Sequence, residues 1–181
     1  MSHTADVAHG QQAHIGHKER MERAVAHLLP GEGVRSLWVL GELVTLKVPS
    51  RRTGGAYALF EATTQPGAGP PPHVQHREDE SFYVLEGAYE FLVEGRTLRA
   101  GVGSLLYVPK GTLHAHENVG EGVGRLLMTQ TPGALYERFF KEIGKPMNGG
   151  AGLTSFEEQP DVERIVEIAA AYGIEIPVPI A

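Results

Sequence analysis

Residues Gly67 to Gly87 read GAGPPPHVQHREDESFYVLEG. The three prolines Pro70, Pro71 and Pro72 stiffen the approach to His73, because each ring fixes its own φ. His73 and Gln75 are two positions apart, so on a strand they point to one face. His76 points to the other face unless a bulge re-aims it. Arg77, Glu78 and Asp79 read as a charged turn with a solvated face, which sets the spacing to Glu80. Beyond it Glu80, Phe82 and Val84 alternate onto one side, so if Glu80 faces inward the two apolar side chains do as well.

A second stretch, Gly103 to Asn118, reads GSLLYVPKGTLHAHEN. His114 and His116 share a face by the same alternation. Asn118 is expected to be structural, a polar residue closing a strand end. Gly67, Gly87, Gly103 and Gly111 are placed as turn glycines, needed for backbone shape.

Working outward, short β-runs separated by Gly and Pro fill the chain from residue 36 to residue 131: Ser36–Val48, Ala56–Thr64, Ser81–Glu86, Ala88–Glu94, Thr97–Arg99, Ser104–Val108, Leu113–Asn118 and Gly124–Thr131. In the first run Trp38, Leu40, Val44, Leu46 and Val48 alternate with a more polar set, as on one long strand with a buried face. Many short strands with regular turn signals predict a sandwich or barrel. Helical spacing precedes them, from His17 to Leu29, ended by Pro30 and Gly31. Two further helices follow. Thr131 and Pro132 open one as capping residue and first-turn proline, Leu135, Phe139, Phe140 and Ile143 form its apolar side, and Gly144 closes it. The other runs from Asp161 to Tyr172, with Gly173 as its stop. Between them Pro146 to Gly152 reads as a flexible loop. No internal repeat is present, so the reading is one barrel: residues 1–35 as tail and helix, 36–131 as the β-barrel, and 132–181 as a helical extension packing on it.

Composition narrows the function classes. The 181 residues include 16 basic and 22 acidic side chains, a net charge of −6, and no basic run, which disfavours nucleic acid as a partner. No stretch approaches the ~18 apolar residues of a membrane helix. The first thirty residues are polar and His-rich and do not read as a signal peptide, so the expected compartment is the cytoplasm. With no cysteine, disulfides, cysteine-zinc sites and thiol nucleophiles are excluded. His3, His9, His14, His17 and His27 are expected to be solvated.

The two motif stretches resemble the two conserved motifs of the cupin superfamily. The first of these is a glycine, five residues, HxH, three or four residues, Glu, six residues and Gly. The second is a glycine, five residues, PxG, two residues, His, three residues and Asn. Nine of the ten fixed positions match; Gln75 stands where family members have a second histidine. The resemblance covers about Leu37 to Thr131, and the flanking helices look like those of small single-domain cupins similar to bacterial quercetin dioxygenases. It implies an all-β cupin barrel (double-stranded β-helix, or jelly roll) with short flanking helices at both ends. It also implies one divalent transition metal, Fe, Mn, Ni, Zn or Cu, held by His73, Glu80 and His114, with Gln75 in the fourth place. His76, through a bulge, or His116, through alternation, are the alternatives for the missing imidazole. Two imidazoles and a carboxylate with positions left open suit any of these ions.

Tyr57 and Leu59, from an earlier strand, join Phe82 and His116 as expected pocket residues. Two function classes follow. One is a metal-dependent dioxygenase-like enzyme acting on a small phenolic, flavonol-like or enolic molecule, with Glu80 as ligand and general base. The other is a non-catalytic module that binds a small molecule, its metal site weakened or lost at Gln75. A homodimer is expected through sheet edges, to which Ser36–Val48 is long and apolar enough to contribute.

Overall fold

The computed structural model describes residues 25–147 and 161–177. Two antiparallel sheets face each other. The larger has the order β11-β1-β2-β3-β10-β5-β8 and the smaller β12-β4-β9-β6-β7. Their strands are β1 (Arg35–Val39), β2 (Glu42–Val48), β3 (Ala58–Thr64), β4 (His73–Gln75), β5 (Asp79–Glu86), β6 (Ala88–Val93), β7 (Arg96–Gly101), β8 (Leu105–Val108), β9 (Leu113–Asn118), β10 (Gly124–Thr131), β11 (Lys145–Met147) and β12 (Ile174–Glu175). Among the described residues two α-helices, α1 (Ala134–Ile143) and α2 (Val162–Ala171), and a short 3-10 helix at Ser50–Thr53 complete the fold.

The run Ser36–Val48 is a hairpin and not one strand. Leu40 and Gly41 both have positive φ, 48° and 90°, and link Val39 to its partner Glu42 as a two-residue turn of the twist that hairpins prefer. The turn resets the alternation. Leu37, Val39, Val44 and Leu46 are buried, while Trp38 lies on the opposite side from Leu37 and Val39. Within its sheet the hairpin is covered by β11 on one side and β3 on the other, so the sheet edges are β11 and β8 in one layer and β12 and β7 in the other.

The C-terminal stretch contributes strands as well as helices. Pro146 and Met147, placed in a loop by the sequence, pair with Leu37 and Ser36, because β1 offers an open edge there; residues 148–152 of that loop lie outside the described residues. Thr131 is the last residue of β10, opposite Asp79, so α1 begins only after Gly133 and not at Thr131-Pro132. Its buried side is Tyr136, Phe139 and Phe140, and Phe60 meets Phe140 edge-on at 5.3 Å between centroids. The Asp161 side chain accepts from Arg164 N at the start of α2, and Gly173, at φ 76°, follows its end. Of the N-terminal helix, residues 17–24 lie outside the described residues, and residues 25–29 have no regular structure.

The core between the sheets comprises Phe60, Phe82, Val84, Tyr89, Phe91, Leu126 and Met128, among others. The four motif glycines Gly67, Gly87, Gly103 and Gly111 all have positive φ. Gly69 serves close approach: a Cβ there would come within 1.9 Å of the His116 carbonyl oxygen, so only glycine lets this segment lie against β9. No helix among the described residues is long and apolar enough to cross a membrane.

Candidate metal centre

The site joins the two sheets. His73 on β4 and His114 on β9 are directly opposed in the smaller sheet, their ring centroids 4.4 Å apart. Glu80 reaches them from β5 in the larger sheet. All three are buried, and one ligand-type atom from each lies within 4.8 Å of the others.

Each imidazole is oriented by its own backbone. His73 Nδ1 is 3.0 Å from the Pro71 carbonyl oxygen, and His114 Nδ1 is 2.9 Å from that of Thr112. A carbonyl can only accept, so each Nδ1 carries the proton and a neutral ring presents a bare Nε2 to the site. His73 Nε2 is buried with no hydrogen-bond partner. His114 Nε2 lies 3.0 Å from Glu80 Oε2. A bare imidazole nitrogen and a carboxylate oxygen are both acceptors, so that contact needs a positive charge between or on them. A second proton on His114 supplies it, and so does a divalent cation. The donor set, its burial and the unpartnered His73 nitrogen therefore fit a metal ion held by His73, Glu80 and His114.

Burial, reinforced by the charges of His114 and His116, lowers the His73 pKa to about 3, which keeps the ring neutral. At His114 burial pulls downward, but the hydrogen bond and charge of Glu80, with the Thr112 carbonyl, outweigh it and raise the pKa.

Gln75 is 1% exposed and shares the inward face with His73. Its Nε2 donates to Glu80 Oε2 at 2.6 Å, and its Oε1 is buried without a partner. Gln130, paired with Glu80 across the β5–β10 ladder, donates its Nε2 to Glu80 Oε1, and its Oε1 too is unpartnered. Two amide donors thus hold the carboxylate from either side. The two alternatives for a further imidazole go elsewhere. His76 has a side chain 51% exposed and pairs with Glu175 on the outside, as unbulged alternation requires. His116 faces inward but points Nε2 at Glu42 Oε1, 2.9 Å away. Glu42 Oε1 also accepts from Thr64 Oγ1, which in turn accepts from the Tyr89 hydroxyl.

The described cavity beside the triad measures about 30 Å³ and is lined by Glu42, His73, Glu80, Phe82, His116 and Tyr136, among others. Phe82 and His116 therefore stand where the alternation puts them. Tyr57 and Leu59 do not line it. Ala58, Phe60, Ala62 and Thr64 take the buried side of β3, which turns Leu59 outward, and Tyr57, just before the strand, is 40% exposed.

The cupin domain family profile matches residues 60–130, the span that holds both histidines, Glu80 and the core of both sheets. The chain belongs to the cupin superfamily. This cupin is 27% identical to quercetin 2,3-dioxygenase of Bacillus subtilis over 132 residues, which are 72% of this chain and 38% of that one. It thus spans well under half of that relative's length. An uncharacterized protein of Streptomyces coelicolor is 32% identical over 78 residues, 43% of this chain and 69% of its own. Among solved structures, KdgF from Halomonas sp. superposes with a TM-score of 0.52 at 20% identity, covering 59% of this cupin and 94% of that chain. At that identity the likeness speaks for the fold.

Three buried polar residues of the cupin site escape the motif reading: Glu42, Gln130 and Glu78. Gln130 follows Leu126 and Met128 in the inward alternation of β10, a signal present in the sequence. Glu42 has the parity of Val44 and Leu46, legible only once the hairpin is broken at Leu40-Gly41. Glu78 is the correction to the charged turn. It is 1% exposed, with neither carboxylate oxygen partnered, and burial, aided by Glu80 and opposed by Arg77, raises its pKa to about 7.

Proposed function

We propose that this cupin holds one divalent transition metal on His73, Glu80 and His114 and acts as a metal-dependent, dioxygenase-like enzyme on a small enolic or phenolic molecule. The observation that carries the reading is the His114 Nε2 to Glu80 Oε2 contact of 3.0 Å beside a buried, unpartnered His73 Nε2. The similarity to quercetin 2,3-dioxygenase supports the reaction class. Bound there, the metal supplies Lewis-acid polarisation of an enolic or phenolic oxygen.

The chain's own residues do the rest. Pro71 and Thr112 hold the two imidazoles in the required tautomer. Gln75 and Gln130 fix the Glu80 carboxylate, which accepts the proton of the substrate hydroxyl. Phe82, Met128 and Tyr136 exclude water on the apolar side. The cavity of about 30 Å³ is small for a bound organic molecule, so a flavonol-sized substrate requires the α1 side to move, and smaller molecules are favoured.

The test is turnover. Protein reloaded separately with Fe, Mn, Ni, Cu or Co is offered small enols and phenols, and oxygen uptake is followed. Consumption by the parent and not by Glu80→Gln supports the enzyme. No turnover with any metal removes it.

One observation favours a second reading, a non-catalytic barrel that binds a small molecule. Gln75 directs its amide nitrogen to Glu80. It thus ties up a lone pair of the carboxylate where an imidazole at this position would offer another ligand. Failure to retain any metal at micromolar concentration selects this reading.

A further inference from the structure

We propose that a second cavity, between α1 and the β1–β2–β3 face, is a binding site for a small amphipathic anion with a carboxylate or phosphate head and an apolar body. It measures about 280 Å³, far more than the space beside the triad, and it shares only Phe140 with that lining. Its floor is apolar: Leu37, Leu46, Phe60 and Phe140 are all at least nine-tenths buried. Its rim is cationic, with Arg35 and Arg51 from the sheet side and Arg138 and Lys141 from α1.

The charge pattern runs against the composition. The chain carries 22 acidic and 16 basic residues, yet none of these four cations is in an ion pair among the described residues. Lys47, Arg99 and Arg125 do find carboxylates. Among the described residues the single carboxylate in the cavity lining, Glu137, is engaged: its Oε2 accepts from Ser50 N and from Ser50 Oγ, each at 2.9 Å. Four cations without an ion pair among the described residues, above an apolar floor, match a ligand with an anionic head and an apolar body, the head gaining charge-assisted hydrogen bonds and the body losing water. At about 280 Å³ the cavity lies near the lower end of the ~300–1,000 Å³ range of small-molecule pockets, which suits a medium-chain or single-ring acid.

The probes are octanoate, octyl phosphate and neutral octanamide, titrated calorimetrically into the full chain, with methyl NMR to locate the site. One-to-one binding of octanoate or octyl phosphate is expected, with octanamide weaker by roughly tenfold or more, since the charged head supplies the extra hydrogen-bond energy. The tighter of the two anions identifies the head group. The Arg138→Glu/Lys141→Glu double variant on the exposed side of α1 is expected to weaken the anion roughly tenfold and to leave octanamide unchanged. Arg35→Glu on the opposite wall repeats the test independently of α1. Shifts are expected at the methyls of Leu37, Val44 and Leu46. Absence of saturable binding by either anion at millimolar concentration overturns the proposal. So does binding indifferent to all the charge reversals, and so do shifts confined to Val39 and Met128 beside the triad.

Discussion

The amide nitrogen of Gln75 donates to Glu80 Oε2 at 2.6 Å, and that oxygen is the one that lies 3.0 Å from His114 Nε2. The residue that departs from the family motif is therefore wired into the centre of the site. Replacing it by histidine exchanges a hydrogen-bond donor to the carboxylate for a candidate third imidazole. Gln75→His is expected to tighten metal binding by roughly 10–100-fold, the range over which neighbours of a ligand set tune affinity. Competition against a chromophoric chelator measures it, and unchanged or weaker affinity refutes the placement of Gln75 in the fourth position.

Gln130 gives a different readout, because it supports Glu80 without offering a ligand in the motif. Gln130→Met removes the donor to Glu80 Oε1 and leaves a buried carboxylate with one fewer partner. Metal-free protein is expected to lose about 1–3 kcal/mol, read from urea denaturation. A loss below ~0.5 kcal/mol shows that the carboxylate is satisfied without it.

The motifs made most of this legible. The spacing of His73, Glu80 and His114 survives into the fold because β4, β9 and β5 are regular and alternation alone aims their side chains. The glycines that punctuate the motifs sit at the positive-φ turns they imply. The hairpin at Leu40-Gly41 was hidden, because leucine at positive φ carries no sequence signal and the apolar run continues through it. Once it is misread, Glu42 lands on the wrong face, and the Glu42–His116 pair cannot be foreseen. Tyr57 and Leu59 were misplaced for a related reason. Ala58 and Ala62 are weaker hydrophobic signals than Leu59, yet small residues are what the packed interior of β3 accepts. Strands β11 and β12 are two or three residues long and pair with partners remote in sequence, which no local pattern announces.

Glu78 makes the fold sensitive to pH in a defined direction. Its pKa is raised from 4.5 to about 7, so between these values the folded state binds more protons than the unfolded state, and stability falls as pH rises through the window. His73 acts oppositely. Its pKa is lowered from 6.5 to about 3, the unfolded state binds more protons there, and stability falls as pH drops below 6.5. The two overlap, so Glu78→Gln separates them. The variant's stability relative to the parent is expected to rise between pH 5 and 7.5 in chelator-treated protein. A pH-independent difference contradicts a buried Glu78 that keeps its proton.

Phe140 separates the two cavities and meets Phe60 edge-on. Phe140→Ala is expected to cost about 3–5 kcal/mol, the usual range for truncating a buried phenylalanine, and to merge the two spaces. Thermal unfolding measures the first effect. A cost near 1 kcal/mol shows that α1 is not fixed against the sheet.

The most direct test of the metal centre is elemental analysis of untagged protein purified without chelators and then offered Fe, Mn, Ni, Zn or Cu, beside the His73→Ala/His114→Ala variant checked for folding by circular dichroism. Near-stoichiometric metal in the parent and almost none in the variant is the expected result. A parent that retains no metal, or a variant that retains as much as the parent, contradicts a metal centre at His73, Glu80 and His114.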